Sequence, residues 1–241
     1  ADYGYDKYGG NCHIVPNHGV VILGLLYGED DFQRSLMVTN TAGWDTDCNS
    51  GNVGCLMGIK NGLAGINAGP DWRGPVADQL YLPTADGGRA ITDAVRETYE
   101  ICRSGRAVAG MTANPPKDGA CYHFELPGAI QGFRLEDSVE SQGTAVVENI
   151  EGHSATGSRS LAIHYRGLAK GRCARVATAT FIPPEAIQMG GYSLIASPAL
   201  YPGQTIRARL SSDERNPGSV TCCSYIRIYG EEDRLIMRRG E

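Results

Sequence analysis

Gly43-Trp44-Asp45-Thr46-Asp47-Cys48-Asn49-Ser50-Gly51-Asn52-Val53-Gly54, continuing to Gly58 and Gly62, is the stretch that decides the fold. Two carboxylates two residues apart at the mouth of a helix can turn oxygens toward one point, and hard divalent cations favour oxygen ligands. Gly54, Gly58 and Gly62 recur every four residues, so they share one helix face. Each internal glycine costs roughly 0.5–1 kcal/mol relative to alanine. Close approach of a neighbouring helix is the gain expected to offset that cost. The spacing suggests a metal site at the start of a helix over 46–63, inside a closely packed helical bundle, and helix capping by Thr46 or Asp47 is the alternative reading of the same residues. Asp47, Asn49, Asn52 and Lys60 exclude the membrane-dimer reading of the same glycine spacing.

Upstream, Pro16-Asn17 opens a helical pattern carrying Val20, Val21, Leu23, Leu25 and Leu26, with Gly28 as its stop. Asp30 or Asp31 stands where an N-cap belongs, ahead of Phe32, Leu36 and Val38. Residues 40–44 read as a loop. Downstream, 67–89 is rich in Gly, Pro and Asp and predicts a long ordered loop around Trp72. A fourth helix is expected over 88–103, with Ile91, Val95 and Ile101 inward. Asn114-Pro115-Pro116-Lys117-Asp118 has linker composition, so two domains are expected: a helical segment over 1–112 and a second module over 120–241.

In that second module the apolar period becomes two. Ser160–Tyr165, Thr205–Leu210 and Tyr225–Tyr229 alternate as strands, and glycine-, proline- and asparagine-bearing turns separate them. The expected fold class is accordingly multi-domain: an all-α bundle followed by an antiparallel β-sandwich, the latter either complete or truncated.

At 241 residues the chain is long enough for a substantial core, and a net charge of -5 disfavours a sequence-independent grip on nucleic acid. Absence of an 18-residue apolar run argues against a membrane-spanning helix. The eight cysteines form no C-x-x-C pair, so a zinc ribbon is not expected. Reduced, buried thiols are the favoured state, and Cys222 and Cys223 should face opposite sides of a strand. This leans toward the cytoplasm and leaves the compartment open. The first residue is Ala1, which suggests processing or a piece of a longer protein.

Pro16-Asn17, Leu25-Leu26-Tyr27-Gly28, Asp31-Phe32 and Gly43-Trp44-Asp45-Thr46-Asp47-Cys48 together resemble the carboxy-terminal part of the ADP-ribosylglycohydrolase family over about residues 10–105. The resemblance implies a helical hydrolase with a two-metal centre, usually two Mg²⁺ ions, that cleaves a bond at the anomeric carbon of ribose. On this analogy Asp45 and Asp47 are metal ligands, and the substrate is an ADP-ribosyl compound or another N- or O-glycoside. The family's next position is usually Thr or Ser, and here it is Cys48, a thiol ill matched to a hard ion. The family's amino-terminal Thr-Asp-Asp type motif has no counterpart at the expected place, and Glu29-Asp30-Asp31 reads as helix capping. An amino-terminal half of the same protein is thus an expected partner, and no general base is assigned. The alternative is a non-catalytic binding or scaffold protein that retains the helical fold, with a carbohydrate-binding-like sandwich doing the recognition.

Around the aspartates, Cys48 and Asn49 are candidates for orienting the ligands from outside the first coordination sphere. His13 either reaches the substrate or is a packing residue. Asn17 either caps its helix or faces the cleft. Trp44 either stacks on an adenine or ribose face or plugs the loop from beneath. His123–Gly128 and Gly157–Ile163 resemble the sandwich modules attached to carbohydrate-active enzymes, either with Tyr192 and Tyr201 as aromatics for a sugar face or in a structural or inter-domain role.

Overall fold

The computed structural model describes residues 3–82, 89–190, 197–216, 218, 220–230, 232 and 234–240. The chain divides into two compact units, Ala1–Pro75 and Val76–Glu241. The division falls before the fourth helix, and the proline-rich 114–118 segment lies inside the second unit.

The first unit is built from α1 (Ile14–Tyr27), α2 (Phe32–Asn40) and α3 (Thr46–Asn67). Phe32, Leu36, Val53 and Met57 form its core, with Val21, Leu25 and Ile66 against them. In the acidic turn before α2, Asp31 is the N-cap and its carboxylate accepts the Arg34 N–H at 2.7 Å. Glu29 pairs with Arg34 at 2.5 Å, and Asp30 pairs with Lys60.

The close backbone approach lies elsewhere than expected. Cβ atoms added at Gly54 and Gly58 would meet only side chains at ordinary contact, 3.5 Å from Leu36 and 3.6 Å from Ile66. Gly62 is not a packing glycine: with φ +64° and ψ -171° it breaks α3. The chain then brings Ile66 back to the core, and Gln33 Nε2 donates to the carbonyls of Gly65 and Ile66 at 3.2 and 3.1 Å. The tight crossing is between α1 and α2, where Gly24 and Gly28 face Ser35 and Thr39, both fully buried. A Cβ at Gly28 would stand 2.8 Å from the Ser35 Cα and 2.6 Å from the Gly24 oxygen. Gly28 is therefore more than a helix stop. Its φ of -77° suits any residue, and the space does not. Gly28→Ala is expected to cost about 1–3 kcal/mol through overpacking. Gly51→Ala, with nothing within 4 Å of the added atom, should be neutral or mildly stabilising. Thermal denaturation of the two variants checks the contrast, and equal midpoints would show that the crossing yields without cost.

The second unit is mixed, with four separate two-stranded antiparallel sheets among the described residues in place of the expected sandwich. The strands are β1 (Gln79–Tyr81), β2 (Ile91–Asp93), β3 (Arg134–Leu135), β4 (Ala145–Glu151), β5 (Arg159–Tyr165), β6 (Val176–Ala177), β7 (Tyr225–Tyr229) and β8 (Leu235–Gly240). They pair as β1–β2, β3–β6, β4–β5 and β7–β8. Two helices, α4 (Ala94–Val108) and the short α5 (Pro184–Ile187), complete it. Ile91, Ile182 and Ala186 form its apolar cluster.

The expected fourth helix begins six residues late. Ile91 lies in β2, whose β-branched Ile91-Thr92 pair suits an extended chain, and Asp93 caps α4 by accepting the N–H groups of Val95 and Arg96, each at 3.0 Å. Gly88, the expected start, is outside the described residues. Thr205–Leu210 alternates as a strand would, yet among the described residues it pairs with no strand, and it is exposed throughout. Cys222 and Cys223 precede β7, whose ladder begins at Tyr225, so both are exposed. Indeed all eight cysteines are free, and seven are exposed where burial was expected. Among the described residues no helix is long and apolar enough to cross a membrane.

One carboxylate ties the stability of this unit to pH. Burial of Glu125 works against its charge, but the N–H and hydroxyl of Ser158, the Arg159 N–H and the Lys117 ammonium outweigh it and bring Glu125 down to about 2. A depressed carboxylate stabilises the fold fully above its unfolded value of 4.5, and that contribution is lost as the pH falls toward about 2. Glu125→Gln should flatten the acid side of a stability-against-pH curve. Identical acid limbs in the two proteins would show that Glu125 does not set it.

Candidate metal and substrate site

Asp45 sits at the N-cap position of α3 in the left-handed region, φ +40° and ψ +51°, and its side chain makes no capping hydrogen bond. Its carboxylate is thus not consumed by the helix end. Instead Asn17 Nδ2 donates to Asp45 Oδ2 at 2.5 Å, while Asn17 Oδ1 accepts from the indole N–H of Trp44 at 2.6 Å. The two neighbours fix the amide's orientation, because an indole N–H only donates and a carboxylate only accepts. Capping of α1 falls to His13, whose Nδ1 accepts the Val15 N–H at 3.2 Å, which frees Asn17 to face the loop.

Trp44 is buried at 5% exposure and stacks on Tyr5 with ring centroids 3.8 Å apart. The Tyr5 hydroxyl oxygen accepts the Asp45 N–H at 3.2 Å. Trp44 therefore plugs the loop, and its indole N–H serves Asn17. Asn49, fully buried, donates from Nδ2 to the Trp44 carbonyl at 3.0 Å and keeps an Oδ1 with no hydrogen-bond partner. That orphaned acceptor lies within the shell that supports the loop.

Asp47 is exposed in the first turn of α3, where the helix dipole favours its charge. Cys48, also exposed, hydrogen-bonds to Asp45. That bond first, then loss of solvent and the negative fields of Asp45 and Asp47, pushes the Cys48 thiol up to about 11. The side-chain ligand atoms that gather are those of Cys12, Asp45 and Cys48, all within 4.8 Å of one another. Asp47 is not in that group. Sequence reasoning passed over two participants, Tyr5 and Cys12. Neither carries a motif, and only the packing of the amino-terminal turns brings them to Asp45.

The ring and cap geometry leave His13 half-buried beside Tyr8, at 4.9 Å between centroids. Tyr201 is partly exposed in the second unit, and Tyr192 lies outside the described residues.

Residues 2–107 match the family model for ADP-ribosylglycohydrolase. The ADP-ribosylglycohydrolase match covers less than half of the chain and includes α1 to α3, the Asp45 loop and all but the last residue of α4. It supports that family over this segment and suggests glycohydrolase activity at the level of the family. No curated protein and no solved structure matches the chain.

Tested against the ADP-ribosylglycohydrolase expectation, the donor chemistry divides. The Asp45 and Asp47 carboxylates suit a hard ion such as Mg²⁺, and Asn17 holds the Asp45 carboxylate in place. The Cys48 thiol, at the position where the family offers a hydroxyl, does not suit it.

Proposed function

We propose that this chain carries part of a metal-dependent glycohydrolase site that cleaves an N- or O-glycosidic bond at the ribose anomeric carbon of an ADP-ribosyl compound. The observation that carries the reading is the Asp45 carboxylate, left uncapped at the mouth of α3 and aligned by Asn17, within a segment that matches the family. Asp45 and Asp47 are the proposed ligands of Mg²⁺, two ions in a completed site. Bound there, Mg²⁺ would orient substrate oxygens and lower the pKa of a water.

This chain's residues position and exclude. Asn17 keeps one Asp45 oxygen directed, and the Trp44–Tyr5 stack closes the underside of the loop to solvent. Asn49 holds the Trp44 carbonyl and so fixes the turn into α3. Asp45 and Asp47 carry negative charge beside a reaction whose transition state is oxocarbenium-like, which favours the developing positive charge. His13 stands at the same end of α1 as Asn17 and is the proposed substrate contact from that side.

The second reading, a non-catalytic binding protein, draws on one observation: the Asp45 carboxylate is held by Asn17, with the Cys48 Sγ within 4.8 Å of it. Hydrolysis of ADP-ribosylated peptide and of free ADP-ribosyl compounds, followed by ADP-ribose release with and without Mg²⁺, tests the choice. The chain is assayed alone and with a separately supplied amino-terminal half. Mg²⁺-dependent release in either arm supports the enzyme. Mg²⁺ binding and turnover both absent in both arms would leave the binding protein.

A further inference from the structure

We propose that Cys12, Asp45 and Cys48 form a binding site for a thiophilic divalent cation, zinc foremost. The three side chains come from separate places: the turn before α1, the loop residue Asp45, and the first turn of α3. Their two Sγ atoms and a carboxylate oxygen nonetheless gather within 4.8 Å of one another. Zinc takes Cys sulfur at about 2.3 Å and carboxylate oxygen at about 2.0–2.2 Å, so its tetrahedral ligands sit roughly 3.5–4 Å apart. Closing from the observed spacing needs side-chain movement of about 1 Å, and both thiols are exposed and outside any disulfide.

The donor set selects the metal. Two sulfurs and one oxygen form a soft site that a hard ion does not prefer, whereas zinc binds this mixture readily. Three protein ligands leave a fourth position for water. Asn17, donating to Asp45 Oδ2, supplies the outer hydrogen bond that commonly orients a metal-binding carboxylate. On binding, each thiol gives up its proton to solvent, so two protons leave as one Zn²⁺ enters. Two thiolates, one carboxylate and the cation then sum to a single negative charge.

This inference stands whether or not the chain hydrolyses a glycoside. It shares only Asp45 with the proposed magnesium site, so zinc and Mg²⁺ should compete for that carboxylate.

The test uses the full chain, kept reduced and titrated with Zn²⁺ by calorimetry and with Co²⁺ by absorption. The Co²⁺ form is expected to show thiolate-to-metal charge transfer in the near ultraviolet. Buffers of different ionisation enthalpy should reveal proton release. Cys12→Ser and Cys48→Ser are each expected to weaken Zn²⁺ binding by at least about tenfold and to reduce the charge-transfer band. Asp45→Asn should weaken binding while the band stays, and Cys55→Ser and Cys222→Ser should change neither. Far-ultraviolet circular dichroism verifies that each variant is folded, and Asp45→Asn with Cys12→Ser decides the matter if Cys48→Ser is not. Zinc affinity unmoved by either Ser variant, or a cobalt spectrum without thiolate character, overturns the proposal. Turnover without zinc binding would defeat this inference alone, and zinc binding without turnover would defeat only the glycohydrolase reading.

Discussion

Asp45→Asn is expected to reduce Mg²⁺-dependent hydrolysis by more than about 100-fold while leaving the helical signal unchanged. The substitution is chosen for the backbone. Asp45 has φ +40°, a region in which Asn is as tolerable as Asp, whereas Ala would add strain of its own. Asn also presents an oxygen that can accept from Asn17 Nδ2, so the loop keeps its hydrogen bond. What disappears is the negative charge and one oxygen ligand. Loss of a partner outside the coordination sphere costs about 10–100-fold in affinity or activity, and loss of a ligand should exceed that range. Asp47→Ala is expected to act in the same direction with a smaller structural risk, since its side chain is exposed. Full activity in Asp45→Asn would mean that this carboxylate shapes the loop and nothing more. Collapse of the helical signal would likewise assign it to the fold.

Gln131→Met should destabilise the second unit by about 3 kcal/mol or more, the largest stability effect expected of a single side chain here. Gln131 is 1% exposed, and its amide works at both ends. Oε1 accepts the N–H groups of His123 and Phe124 at 3.0 and 2.7 Å. Nε2 donates to the Asp93 carboxylate at 3.2 Å and to the Cys121 carbonyl at 3.3 Å. Methionine fills nearly the same volume and makes none of these bonds. Each buried group left unpaired costs about 1–3 kcal/mol, more where it is charged. Asp93 is already raised by burial, an effect its hydrogen bonds from Arg96 and Gln131 only partly offset. Losing the Gln131 bond should raise it further and weaken the cap of α4. Chemical denaturation of wild type and variant measures the difference. A loss below about 1 kcal/mol would show that water or rearrangement replaces the amide.

The helical half was legible because its signals are local. Asp31 before Phe32 and the turn into α3 at Thr46 both follow from residues a few positions apart. The Asp45-Thr46-Asp47 motif and the match over residues 2–107 point the same way. The second unit was legible only strand by strand. Ser160–Tyr165 and Tyr225–Tyr229 fall in β5 and β7, but alternation gives a strand's faces and does not name its partner. Thr205–Leu210 shows the consequence, alternating without a paired strand among the described residues.

By itself, the sequence determined the starts of α2 and α3, the acidic loop at 45–47 and the thiol at position 48, because capping and ligand chemistry reside in single residues. Only the tertiary structure decided which glycines touch backbone, that Asn17 spans Trp44 and Asp45, and that Cys12 reaches Cys48. Those pairings join residues carried on different helices and loops. Their geometry is set by how α1 crosses its neighbours, a quantity that no local pattern encodes.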